Sequence, residues 1–292
     1  MAKIKLTLLS NMLGQDFTQA LDQHVALGLT VLDLKMEIFG KQLIDLSNAE
    51  AERAAQLIAA HNLSVYCFSS VLFYDDVELG EAAFRDNHLA KVDRLLELAD
   101  ILKPQWIRLL AAKSKRRSDF PLIREYLLET CPWLIPMYRE AITKIHRSGY
   151  QATLENEVHG CIFSTPEEII TFFRELDCGD QVSLTYDVQN LWQMGTYPSI
   201  ATYEKLSGLT RYLHLKGGQL DPDSGRSDLR WCSTLEDASW PVLDLVRRSI
   251  RDGNSPVICL NPSHGMIRDT FDYQEAAIKD IRFLRQQIPE VE

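Results

Sequence analysis

Strand-like and helix-like stretches alternate through this chain eight times, and few folds accept that rhythm. Short apolar runs at residues 4–9, 31–36, 64–70, 106–110, 151–155, 182–187, 211–216 and 256–261 read as strands. Between them lie stretches with apolar residues at helical spacing, at 17–26, 48–61, 78–102, 121–147, 166–176, 200–207, 240–252 and 271–287. Parallel strands need a crossover between them, and a βα unit takes about 30 residues. Eight such units predict an α/β fold, a (β/α)8 TIM barrel, as a single domain over residues 1–292. A doubly wound open sheet is the alternative. The G-x-G-x-x-G turn that opens its dinucleotide-binding version does not follow the first strand.

Local punctuation agrees with these boundaries. Gly28 and Gly253 sit where helices should stop, Pro104 closes the stretch before it, and Thr165-Pro166 suits a helix start. Pro132 and Pro136 should break or kink the stretch 121–147 into two pieces. Residues 113–117 read as a basic loop, and 217–233 as a long polar loop without structure of its own.

Composition then narrows the partners. A net charge of −10 argues against non-specific affinity for nucleic acid or an anionic membrane, while leaving room for an anionic substrate on a few local cations. None of the six cysteines forms a C-x-x-C pair, so small buried thiols in a reducing compartment are expected. A basic leader followed by a long apolar stretch is missing, as is a run of about 18 apolar residues. A cytoplasmic location is the expectation.

The chemistry gathers at the ends of the later strands. Side chains alternate across a strand, so Thr153, Glu155 and Glu157 share a face. By the same count Ser183, Thr185 and Asp187 go together, then Tyr212, His214 and Lys216, then Val257, Cys259 and Asn261. Glu155 and Asp187 are 187 − 155 = 32 residues apart, and Asp187 and His214 are 27 apart, close to one βα unit each. Successive strands can therefore deliver these groups to one mouth, where a parallel barrel keeps its reactive residues. A Glu, Asp and His set suits Mn²⁺, Mg²⁺, Co²⁺ or Zn²⁺. Singly, Asp187 reads equally well as a helix cap and His214 as a hydrogen-bonded barrel histidine. In phase at successive strand ends, they point to a site. Lys216, Arg108, Lys35 and Arg226 are candidates for holding a carboxylate or phosphate, each with a structural ion pair as its other reading. Glu157 could support the metal ligands from behind.

Three segments carry a family resemblance: Leu-Glu-Asn-Glu at 154–157, Tyr-Asp-Val-Gln-Asn at 186–190 with Gly195 downstream, and Leu-His-Leu-Lys at 213–216. They resemble the xylose isomerase-like TIM barrel family, which holds sugar phosphate isomerases and epimerases, inosose dehydratase and the family 2 AP endonucleases. The resemblance implies one divalent metal ion on a Glu, an Asp, a His and a second Glu from strands five to eight. The first three fall on Glu155, Asp187 and His214; the fourth falls on Asn261, a departure. Asn190 takes a position that is often His, and Gly217 stands where an Asp often follows the lysine.

An asparagine amide can ligate, but it adds no charge and is no base. Weak metal binding is therefore expected, together with a single carboxylate base, Glu155, assisted by Lys216 and with His264 as a second acid. Asn190, Glu157, Lys35, Arg108 and Arg226 would contact substrate. The leading expectation is an isomerase, epimerase or related lyase that removes a proton next to a carbonyl. A catalytically impaired barrel that binds a sugar-like ligand comes second, and a DNA-repair endonuclease third. The partner is a small hydroxylated substrate, with no nucleic acid and no membrane, and assembly into a homo-oligomer stays open.

Overall fold

The computed structural model describes residues 3–13, 16–221, 225–230, 233–262 and 271–292. Its principal sheet has eight parallel strands: β1 (Lys5–Leu8), β2 (Val31–Leu34), β3 (Ser64–Ser69), β4 (Trp106–Leu110), β5 (Gln151–Glu155), β6 (Val182–Asp187), β7 (Thr210–Leu215) and β8 (Val257–Leu260). From β2 to β8 each strand pairs with the next in sequence, and β8 pairs back to β1. The remaining seam lies between β1 and β2. It is spanned by a bridge between Leu9 and Asp33 and by Thr7 Oγ1 donating to Val31 O at 2.7 Å. The result is a nearly closed TIM barrel.

Helices cover its outside: α1 (Phe17–Ala26), α2 (Asn48–Ala60), α3 (Glu81–Asn87), α4 (Val92–Leu102), α5 (Arg124–Thr130), α6 (Leu134–Arg147), α7 (Pro166–Leu176), α8 (Val188–Gln193), α9 (Ile200–Leu206), α10 (Val242–Asp252) and α11 (Tyr273–Gln287). Their starts are chemically marked. Ser47 and Glu50 form a reciprocal cap on α2, and Thr165 caps α7 with Pro166 in its first turn. Each helix turns an apolar stripe inward; α6 buries Met137, Tyr138, Ala141, Ile142 and Ile145. The main core fills the layer between helices and sheet. A smaller cluster with Tyr66, Cys67, Tyr212 and Cys259 is separate from it and meets the polar interior through Tyr212.

Several sequence expectations are refined. The stretch 78–102 is two helices, because His88 leaves helical geometry (φ −125°) and takes the Phe73 N–H on its Nδ1 at 3.0 Å. In 121–147 only Pro132 marks a break, between α5 and α6. Pro136 falls in the first turn of α6, where its missing N–H costs nothing. The supposed loop 217–233 contains an antiparallel hairpin of Gln219–Asp221 with Gly225–Arg230. The second strand stops at Leu34, and the chain turns into a small hairpin of Met36–Ile38 with Lys41–Gln42. No helix among the described residues is long and apolar enough to cross a membrane. Cys67, Cys131, Cys161, Cys178 and Cys259 are buried free thiols, as their spacing suggested.

Candidate active site and metal centre

Parallel register brings the polar strand ends together. Glu155 lies beside Thr185, and Asp187 beside His214. Below them Thr153 Oγ1 lies 2.6 Å from Thr185 Oγ1. One ligand atom from each of Glu155, Asp187 and His214 lies within 4.8 Å of the others, and all three residues are buried.

Neighbours hold each member in place. Arg108 Nη1 pairs with Glu155 Oε2 at 2.5 Å, and its Nη2 donates to Ser70 O at 3.1 Å. The other carboxylate oxygen, Oε1, is 3.1 Å from His214 Nδ1. On the far side of the imidazole, Nε2 lies 3.6 Å from Asp33 Oδ2, which accepts a hydrogen bond from Tyr212 OH at 2.7 Å. Asp187 Oδ1 accepts from Asn190 N at 2.9 Å and so caps α8, while Lys216 Nζ stands 2.8 Å from Oδ2. Asn156 clamps the Asp187 backbone at both ends, donating to its carbonyl at 2.8 Å and accepting from its N–H at 3.0 Å. Asn190 completes the ring: its amide donates to Asn156 O, and its Oδ1 accepts from Lys216 at 2.7 Å.

Burial and charge set the protonation of these groups. Burial alone would push the Glu155 carboxyl up, but Arg108, His214 and Lys216 outweigh it and hold the group below the ordinary carboxylate range. Burial would lower His214, yet Glu155 and Asp33 raise it to about 9. Burial raises Asp187, against the opposing pull of Lys216. Glu157 is half-buried at the mouth. Desolvation and then the Glu155 charge push its carboxyl up to about 7.

The donor set fits a divalent cation. Asp187 Oδ2 and both ring nitrogens of His214 have no partner in hydrogen-bonding geometry, although charged groups stand near them. Buried polar atoms rarely go unpaired, and two carboxylates with an imidazole are what such an ion takes. Glu155, Asp187 and His214 would hold it, with Asp33 as the carboxylate that orients the imidazole from behind. Two built-in cations, Arg108 and Lys216, already touch the two acidic ligands.

The other expected residues divide. Asn261 sits buried just past the end of β8, its N–H donating to Leu215 O at 3.0 Å. Lys35 reaches the same end of the barrel, partly buried. Arg108 and Asn190 are brought to the site, but as partners of its acids and of Lys216. Arg226 belongs to the second hairpin, and its side chain lies outside what is described; His264 lies outside the described residues altogether. Asp33 and Asn156 were given no role from sequence, and Tyr212 was placed only on the face of His214 and Lys216. Asp33 shares its sequence phase with Lys35, and Tyr212 with His214, a signal that was legible. Asn156 points against the phase of Glu155, and nothing local marks it. An apolar groove lined by Ile123, Leu127, Ile135, Phe163 and Phe172 contributes none of the clustered residues.

With that geometry in place, comparison with known proteins is decisive for the family. The xylose isomerase-like TIM barrel model matches residues 21–286. The chain belongs to this family. No curated protein matches it. Among solved structures, the IOLI protein with a bound zinc atom has a TM-score of 0.72 at 14% identity, covering 98% of this chain and 99% of that one. The probable 3-DHS dehydratase AsbF of Bacillus anthracis has a TM-score of 0.69 at 18% identity, covering 96% and 98%. The 3-keto-D-glucoside 4-epimerase YcjR of E. coli has a TM-score of 0.63 at 16% identity, covering 98% and 100%. At such identities the xylose isomerase-like barrel shares its fold with these proteins, and chemistry must be argued from its own residues.

Proposed function

We propose that this barrel moves a proton on the carbon next to a carbonyl of a small hydroxylated substrate, as an isomerase, epimerase or related lyase. Epimerase and dehydratase neighbours support the general class. The observation that carries the reading is the contrast between two glutamates on one strand end. Glu155 has both oxygens engaged, by Arg108 and by His214, and is held as a firm anion suited to ligation. Glu157 is half-buried, its carboxylate held among the described residues by a long contact from Asn190 Nδ2 at 3.4 Å, and its pKa is pushed up to about 7. A proton-transfer group works best with its pKa near the working pH. The base role therefore passes from Glu155, where sequence had put it, to Glu157.

A divalent cation on Glu155, Asp187 and His214 would supply positive charge opposite the carbonyl oxygen and so acidify the neighbouring C–H. Glu157 takes the proton. Lys216, whose burial cost is outweighed by Asp187, Glu157 and Glu155 so that it stays protonated, adds fixed positive charge beside the same acids. Asn261 offers no second carboxylate at the end of β8, so the proton returns from the face it left. That favours a same-face isomerisation or elimination over a two-base epimerisation.

Deuterium exchange in D₂O tests this with metal-supplemented protein and a panel of ketoses and sugar acids. Glu157→Gln should lower exchange by about 10²–10⁴-fold while leaving metal affinity near wild type. Glu155→Gln should lose metal affinity as well. Wild-type exchange persisting in Glu157→Gln overturns the assignment. Ligand binding by wild type without any exchange would favour instead a non-catalytic sugar binder, the reading supported by the two cations already on the acidic ligands.

A further inference from the structure

Arg108, Lys216 and Lys35 all stand at the reactive end of the barrel, and the first two are spoken for. Arg108 is 2% exposed and committed to Glu155 and Ser70 O; Lys216 is 3% exposed and committed to Asp187 and Asn190. Lys35 differs. It follows β2, two residues beyond Asp33, with Arg108, Glu157, Glu155 and Lys216 near enough to act on its charge. Its backbone N–H is tied to Ser10 Oγ at 3.1 Å, but among the described residues no acceptor holds its ammonium. The side chain lines a recess with Gln42, Ser69, Ser70 and Leu72.

The surroundings make that ammonium uncomfortable. Burial lowers its proton affinity, and Arg108 repels it; Glu157 and Glu155 attract it without reaching ion-pair distance. Arg108 Nε is also buried without a partner. A positive group left this way, only partly open to water, gains from an anion brought beside it. Among the described residues no carboxylate stands at ion-pair distance from the Lys35 ammonium.

We infer that the substrate supplies it: the hydroxylated carbonyl compound carries an anionic group, a carboxylate or a phosphate, that Lys35 binds. The reacting end of that substrate rests on the proton-transfer reading above; the anion site does not. Lys35 thus sets specificity for charge, while Glu157 and the acidic ligands act on the carbonyl end.

Calorimetric titration at fixed ionic strength, with D-fructose, D-fructose 6-phosphate and 5-keto-D-gluconate, tests it on wild type, Lys35→Gln and Lys35→Arg. Wild type should prefer at least one of the two anions over fructose by about tenfold or more, as a charge-assisted hydrogen bond implies. Which anion wins tells phosphate from carboxylate. Lys35→Gln should lose the preference without losing divalent-metal affinity, and Lys35→Arg should keep part of it. The melting temperature of Lys35→Gln should hold or rise, because an uncompensated charge is removed. Equal binding of fructose, a preference that survives in Lys35→Gln, or no anion binding at millimolar concentration overturns the inference. An intact anion preference with no deuterium exchange would sink the enzymatic reading alone.

Discussion

Asp33 shows how much of this site depends on one residue that touches no candidate substrate. It is fully buried, accepts from Tyr212 OH at 2.7 Å, and faces His214 Nε2 from 3.6 Å. A carboxylate behind a ligating imidazole fixes its ring and tautomer, and losing one typically costs about 10–100-fold in metal affinity. Asp33→Asn should weaken Zn²⁺ or Mn²⁺ binding by that order in calorimetry, and Tyr212→Phe should do so less. Unchanged affinity in Asp33→Asn would reduce the residue to a core hydrogen-bond acceptor. Its inward phase on β2 could be read from sequence. Its meeting with a strand 179 residues away in the case of Tyr212 could not.

At the scale of elements, α11 is locked to the segment after β7 through Asp280. This carboxylate accepts the Leu235 N–H at 2.7 Å while 2% exposed, and burial pushes its pKa up to about 7. The unfolded chain releases that proton near the ordinary value of about 4. Between those values the native state binds more protons than the unfolded one, so stability falls as pH rises from about 4 through 7. Asp280→Asn keeps an acceptor oxygen and removes the charge. It should melt several degrees above wild type at pH 8 and close to it at pH 4, with each kcal/mol worth roughly 2–4 °C in a chain of this size. The same melting temperature difference at pH 4 and pH 8 would show that burial does not act on this carboxyl. The helix start at Thr165–Pro166 was legible beforehand, because capping is local. The break at His88 was not, because its partner is the Phe73 N–H on another segment.

For the whole molecule, the balance of buried charge couples the site to stability. Lys216 is the buried counterion of Asp187, and removing one partner of such a pair costs about 3–5 kcal/mol. Lys216→Met should therefore lower the melting temperature on the order of 10 °C without added metal. A divalent cation should then restore more stability to the variant than it adds to wild type, since binding to the native state stabilises it in proportion to occupancy. Chelator should reverse the gain in both. Equal metal-dependent shifts in the two proteins would mean that Lys216 does not compete for Asp187.

What the sequence determined by itself was whatever depends on neighbours in the chain: the alternation that makes a barrel, the caps and breaks, and the phase that puts Glu155, Asp187 and His214 on inward faces. Those follow from backbone periodicity, which has a range of a few residues. The tertiary structure alone decided which charges meet. Closing the sheet turned Arg108 and Lys216 from candidate substrate binders into partners of Glu155 and Asp187, and left Lys35 without one among the described residues. Ion pairing at less than 4 Å is a property of the closed barrel, in which residues from different strands share a single enclosed space.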